Sequence, residues 1–304
     1  MTTPTEPPVT VERGPDGGTD HEELPLPPAA PDLDAVPHAL RVALASGDSQ
    51  TARTIALSAL ASGTSLENFY EHLVRPVLEE IGSQWQQGTL SIGEEHIYTT
   101  TIRTLIDRLG DLPVPPATRG RVVLLRPPGE QHLLGLLMLR NVLRKRGWNV
   151  SAPDPLPVEG LVDLVHTLGD VVAVGMSLHR CRDHGTMREK VAYFRQELPN
   201  VPLVLGGLAL RRDPTLWRRV GACGAAEDLP GALALIDTVT NPLTGRERDI
   251  LVMTSYGATN DEIAQQLAVK PSTVKTHLER IYTKLGVRDR PSSVALALRR
   301  KWID

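Results

Sequence analysis

His132 stands two residues after a carboxylate and three before a glycine, in the run Glu130-Gln131-His132-Leu133-Leu134-Gly135. The run leaves a short apolar stretch over residues 121–125 and enters a helix-like stretch over 132–146, so the imidazole belongs to a strand-to-helix loop. A neutral imidazole there is a competent metal ligand through one ring nitrogen, while Glu130 can accept from the other and fix the tautomer. Gly135 lets the backbone approach a bulky ligand. Alone the pattern is weak, because a loop histidine that caps a helix also has it. Other polar positions follow later strand-like runs. Ser177 alone reads as a helix N-cap or a solvated hydroxyl, and Gly206-Gly207 alone as a tight strand-exit turn. Trp85 and Glu95-His96, with nine residues between the tryptophan and the glutamate, aim an indole and two polar groups at one helix junction. Alone they read as a core tryptophan beside a solvated acid–histidine pair.

The elements around these residues divide the chain. Residues 1–36 are rich in Pro, Gly, Asp and Glu and read as a disordered acidic arm. Residues 37–110 carry apolar positions at helical spacing and predict a four-helix bundle, with Pro76 kinking the third helix or marking its restart. Residues 111–119 are a Pro-rich linker. Residues 120–238 alternate strand and helix signals, with strands expected at 121–125, 148–151, 171–176 and 202–205 and a closing helix from Leu229 to Thr238. That alternation predicts a flavodoxin-like (Rossmann-like) parallel sheet covered on both faces, with ligands at the carboxyl ends of its strands. His132, Ser177 and Gly206-Gly207 all fall at such ends. The fold class is therefore multidomain, α and α/β, with an all-α module at the C-terminus.

Together these residues resemble the cobalamin-binding domains of methionine synthase and of the CarH-type photoreceptors, over roughly residues 40–238. The resemblance implies that His132 is the axial cobalt ligand, displacing the cofactor's own base, with Glu130 behind it. It implies a nucleotide tail running past Gly135, Ser177 and Gly206-Gly207. The family has Leu where this chain has His179. It also implies a helical cap in which Trp85 packs on the 5′-deoxyadenosyl group of adenosylcobalamin and Glu95 and His96 line that pocket. The light-driven member carries a cobalt-capturing histidine directly after the tryptophan. Here that residue is Gln86, which excludes that bis-histidine product and leaves His96 or water as the second ligand.

From Leu243 the chain reads L-T-x-R-E, G-x-x-N-x-E-I-A, T-V-K-x-H-L and K-L-G-V-x-x-R, a compact helical pattern with a cap at Asn260-Asp261-Glu262 and Pro271 opening the next helix. This resembles the LuxR-type (GerE-like) helix-turn-helix over residues 241–304. The resemblance implies that Lys275, Thr276 and Glu279 face base edges of double-stranded DNA, with Thr273, Lys284, Arg288 and Arg290 on phosphates.

Charge agrees with that division. Residues 241–304 hold 11 Lys and Arg against 7 Asp and Glu, a net +4, so residues 1–240 carry −7 of the overall −3. Two cysteines, Cys181 and Cys223, form no C-x-x-C, which points to a reducing cytoplasm. No signal segment and no membrane-length apolar run occurs. The expected protein is a cytoplasmic, non-enzymatic transcriptional regulator that binds DNA as a homo-oligomer, dimer or tetramer, under control of adenosylcobalamin and light. Two other inputs stay open: cobalamin availability without light, and a protein partner in a chain that has lost the cofactor. A methyl-transfer subunit is disfavoured by the DNA module and the lack of a substrate domain.

Overall fold

The computed structural model describes residues 36–153, 155–181, 183–299 and 302–303. The acidic arm expected over residues 1–36 lies outside them, except for Val36, which opens the first helix. Four helical rods follow: α1 (Val36–Ala45), α2 (Ser49–Ala61), a third rod, and α5 (Ile92–Gly110). The third rod is built from α3 (Leu66–Phe69), a wide π turn (Tyr70–Val74) and α4 (Arg75–Gln86). Caps set the starts. Asp48 accepts from the Thr51 N–H at 2.9 Å, Ser65 from the Asn68 N–H at 3.1 Å, and Ser91 and Glu94 form a reciprocal box. The π turn has a local cause. Pro76 offers no N–H to the His72 carbonyl, and its ring would crowd that carbonyl in a regular turn, so the helix widens immediately before it.

The second part alternates strand and helix. In chain order it runs β1 (Arg121–Leu125), α6 (Leu134–Lys145), β2 (Asn149–Ser151), α7 (Val158–Leu168) and β3 (Val171–Ser177). It continues with α8 (His184–Glu197), β4 (Leu203–Gly206), α9 (Leu208–Arg212), α10 (Leu216–Val220), β5 (Gly224–Ala226) and α11 (Leu229–Thr240). Every pairing is parallel, in the order β2-β1-β3-β4-β5, the flavodoxin-like arrangement. One face is covered by α7 and α8 through Val123, Val174, Leu161 and Phe194. On the other face a single apolar cluster runs from Val122 and Leu124 through Leu139 and Leu143 of α6 into Phe69, Tyr70, Leu105 and Ile106 of the bundle. The bundle therefore shares its core with the sheet. Asn141 of α6, buried in that seam, donates to the Tyr70 hydroxyl at 2.9 Å and the Ile106 carbonyl at 2.8 Å. The Pro-rich segment is tied to α6 as well: Lys145 donates to the Pro113 carbonyl at 2.6 Å, and Arg144 to the Gly110 carbonyl at 3.1 Å.

The last part is four helices, α12 (Gly245–Ser255), α13 (Asn260–Gln266), α14 (Pro271–Leu285) and α15 (Arg290–Arg299), around Ile250, Leu251, Ile263, Val274, Leu278 and Ile281. Thr244/Glu247 and Thr259/Glu262 form capping boxes on α12 and α13. Among the described residues no helix is long and apolar enough to cross a membrane.

Candidate functional site

His132 sits between β1 and α6, and His179 just beyond β3. These adjacent strands lead their chains to opposite sides of the sheet, so both histidines stand at the topological switch point where such sheets open a crevice. Glu130 joins them. Its Oε1 accepts the His132 N–H at 3.0 Å and lies 2.5 Å from Nδ1 of the same residue, while its Oε2 accepts the His179 N–H at 2.8 Å. An ionised carboxylate only accepts, so Nδ1 of His132 carries the hydrogen and Nε2 of the neutral ring keeps its lone pair. Burial opposes ionisation of Glu130. The hydrogen bonds from His132 and His179 outweigh it and hold the carboxyl below its ordinary range. The Arg126 guanidinium donates to the Glu130 carbonyl and closes the loop. Above Glu130 the His132 and His179 rings lie face to face, with centroids 3.5 Å apart and planes 5° from parallel. Burial, and then the neighbouring His132, lower the His179 imidazole below its ordinary value against the opposite pull of Glu130.

A mainly apolar cavity of about 180 Å³ lies beside this unit. Gly135 of α6, Ser177 of β3 and Gly206-Gly207 at the end of β4 line it on one side, and Tyr70 and Arg75 from the bundle; neither stacked imidazole does. Gly207 has to be glycine. Its φ is +97°, and a Cβ there would fall 2.5 Å from the Leu178 carbonyl oxygen, which instead accepts the Ala209 N–H at 3.0 Å. The bundle is also pinned by charge at this edge. Arg211 of α9 meets Glu79 of α4 at 2.6 Å, Glu79 meets Arg75 at 2.9 Å, and Arg75 pairs with Glu71 on the cavity wall. Tyr70, Glu71 and Arg75 were not foreseen. The Pro76 signal for an irregular helix was the one local clue that this turn presents side chains to the cavity.

From the cavity wall α4 runs out to Trp85, which stands at the same end of the bundle as Glu95 and His96 near the start of α5. Trp85 is 54% exposed, and Ile92 and Ile97 beside the α5 histidine are 71% and 46% exposed. Three large apolar side chains on one helix junction make a surface suited to cover an apolar partner. His96 places Nδ1 2.8 Å from the Ile92 carbonyl and 3.0 Å from Glu95 Oε2. Because the carbonyl only accepts, Nδ1 carries hydrogen here too, and Nε2 is available.

In the C-terminal part, α14 buries Val274, Leu278 and Ile281 and leaves Thr273, Lys275, Thr276 and Glu279 exposed. Arg288 is exposed in the turn that follows. Lys284 and Arg290 are drawn into internal contacts. Lys284 Nζ lies 2.7 Å from buried Glu247 Oε2, and Arg290 donates to Asn260 Oδ1 at 3.1 Å and to the Ala258 carbonyl. The turn between α13 and α14 holds Ala268 at φ +52°, a left-handed conformation in a residue with a Cβ.

Residues 241–297 match the family model of bacterial regulatory proteins, luxR family, and residues 37–109 match the B12 binding domain. A transcriptional regulatory protein of Bacillus subtilis, YxjL, is 41% identical over 156 residues, 50% of this chain and 72% of that protein. The transcriptional repressor CarH of Myxococcus xanthus is 30% identical over 154 residues, half of each chain. Among solved structures, the monomethylamine corrinoid protein of Methanosarcina barkeri shares the fold with a TM-score of 0.55 at 14% identity, over 66% of this chain and 96% of that one. The chain spans 72% of the length of YxjL, 50% of that of CarH and between 6% and 29% of other curated relatives it matches. The fold and these matches define a chain that joins a B12 binding domain to a C-terminal luxR-family regulatory domain. The chain belongs to the luxR family of bacterial regulatory proteins.

Proposed function

We propose that this regulator binds adenosylcobalamin and that the cofactor, through light, controls its grip on DNA. The observation that carries the reading is His132, with Nδ1 committed to Glu130 and Nε2 free, at the switch point beside an apolar cavity walled by glycines. The donor set fits a corrinoid: an imidazole with a carboxylate behind it, and among the described residues no cluster of three or more His, Cys, Asp and Glu that would chelate a bare ion instead. His132 would hold the cobalt, while Gly135, Ser177, Gly206 and Gly207 would flank the nucleotide tail. Trp85, Glu95 and His96 would close over the upper ligand, with exposed Ile92 widening the apolar lid. When bound, the cofactor supplies a cobalt–carbon bond that visible light breaks. The chain's own part is to hold cap and sheet together and to keep water from the lid. Thr273, Lys275, Thr276, Glu279 and Arg288 would meet DNA, in a homodimer or a larger symmetric assembly.

The test is an absorption spectrum of protein loaded with adenosylcobalamin in the dark, desalted, then illuminated with green light, followed by DNA binding of both samples. A retained corrin whose spectrum and DNA affinity both change on illumination is the expected result. Loss of the corrin on desalting would sink the proposal. Gln86, where the light-driven relative has histidine, favours a second reading: a sensor of cobalamin supply alone. Under it, illumination changes the spectrum and leaves DNA affinity as it was, while cofactor removal alters it.

A further inference from the structure

We infer that His179 is a positioning residue for His132: its ring, stacked on that of His132, fixes the imidazole plane and keeps Nε2 presented for a metal. The inference rests on the reading of His132 as a cobalt ligand. A histidine side chain ends in a torsion with a broad, two-fold profile, so rotation of the ring about it is weakly restrained. The contact between Glu130 and Nδ1 fixes one atom of the His132 ring. It does not by itself set the plane, because the ring can swing about that contact, and His132 is 60% exposed on its side chain. A flat surface against one ring face removes that freedom. Here the surface is a second imidazole, parallel within 5° at 3.5 Å.

Aromatic pairs prefer offset or edge-on contact at larger separations, so a close face-to-face pair is held by something other than its own attraction. The main chain supplies the hold. One carboxylate binds the backbone N–H of both histidines, Oε1 taking His132 at 3.0 Å and Oε2 taking His179 at 2.8 Å. On the far side the preceding residue is clamped. Leu178 is fully buried, its N–H donates to the Gly206 carbonyl at 2.9 Å, and its own carbonyl accepts the Ala209 N–H at 3.0 Å. The ring of His179 is thus a wall anchored in β3 and β4 against which the β1 loop sets its histidine. A leucine at this position, branched and non-planar, could not provide such a face.

Three variants separate the possibilities: His179→Ala removes the wall, His179→Phe keeps a flat ring without nitrogen, and His179→Leu has the shape seen in the resembling family. Two readouts apply. In cofactor-free protein, the ring-proton resonances of His132, assigned by comparison with His132→Gln, are shifted upfield by a ring stacked at this distance. That shift should vanish in His179→Ala and His179→Leu and persist in His179→Phe. Hydroxocobalamin titrated into the same proteins and followed by absorption should bind His179→Ala and His179→Leu about 10- to 100-fold more weakly, as for other groups that orient a metal ligand. His179→Phe should bind like the parent. The inference is overturned if His179→Ala keeps both the upfield shift and the affinity, or if His179→Phe loses as much affinity as His179→Ala. If the parent binds no hydroxocobalamin while the His132 shifts still follow residue 179, the positioning stands and the cobalt reading fails.

Discussion

Glu130 does three things with two oxygens: it fixes a tautomer, orders the loop that carries His132, and ties that loop to the exit of β3. Glu130→Gln keeps the shape but replaces one acceptor oxygen by a donor that cannot serve Nδ1–H. Corrin affinity in that variant should drop about 10- to 100-fold, measured by hydroxocobalamin titration. His132→Ala should abolish the imidazole-ligated spectrum altogether. On the DNA side, Lys275 and Lys284 should part company. Lys275→Ala should relax specificity at one base position, by about 1–3 kcal/mol, more than it changes the slope of log affinity against log salt. Lys284→Ala should leave that slope nearly unchanged and lower the unfolding midpoint instead, because its ammonium neutralises buried Glu247. By the sequence motif both lysines meet DNA, Lys275 at base edges and Lys284 at a phosphate. Nothing local sets Lys284 apart, since Glu247 is 37 residues away in the chain. The same holds for the stacked imidazoles: E-x-H-x-x-G is legible in one line of sequence, whereas the contact with His179 exists only once β1 and β3 are neighbours.

At the scale of elements, what carried a periodic or capping signal was readable, and what rested on small residues was not. The helices of the bundle and the irregular turn before Pro76 stand where the sequence placed them, whereas the cap expected at Asn260 falls on Thr259, one residue earlier, and the Thr244/Glu247 box was not foreseen. Strand β5, Gly224–Ala226, escaped notice because glycine and alanine carry no strand preference and the segment is a short edge. Helices α9 and α10, five residues each, are too short for a period to register. Two element-scale outcomes follow. Ala268→Gly should stabilise the DNA module by about 1 kcal/mol in chemical denaturation, by relieving a left-handed alanine between α13 and α14. The module should also weaken in acid. Burial opposes ionisation of Glu247, but Lys284 and the Thr244 cap hold its carboxyl below the ordinary 4.5. The stability this contributes is present above 4.5 and is lost as pH falls through the lower folded-state value. Unfolding midpoints between pH 6 and 3 should therefore decline less in Glu247→Gln than in the parent.

Over the whole molecule, the expected division into bundle, linker and sheet meets a physical tie. One apolar cluster spans bundle and sheet, and Asn141 satisfies a tyrosine and a carbonyl from two bundle helices at once. Asn141→Ala should strand both partners in a dry seam and cost about 1–3 kcal/mol, read as a lower urea midpoint. A switch in this protein would not lift the bundle off as a whole. Trp85, Ile92 and Ile97 stand exposed toward the N-terminal end of α5, whereas Ile106, on the seam, lies in its C-terminal half.

The parallel order of the sheet also sets when the site comes into being. Residues 130 and 179 meet only after the strand, helix and connections between them have formed, and Gly206-Gly207 joins only when β4 pairs with β3. Such pairings close long loops and are slow compared with helix formation. During synthesis, then, the bundle can assemble on a chain that has no place for a corrin. A corrin would then find its site only late in folding, once β1, β3 and β4 lie side by side.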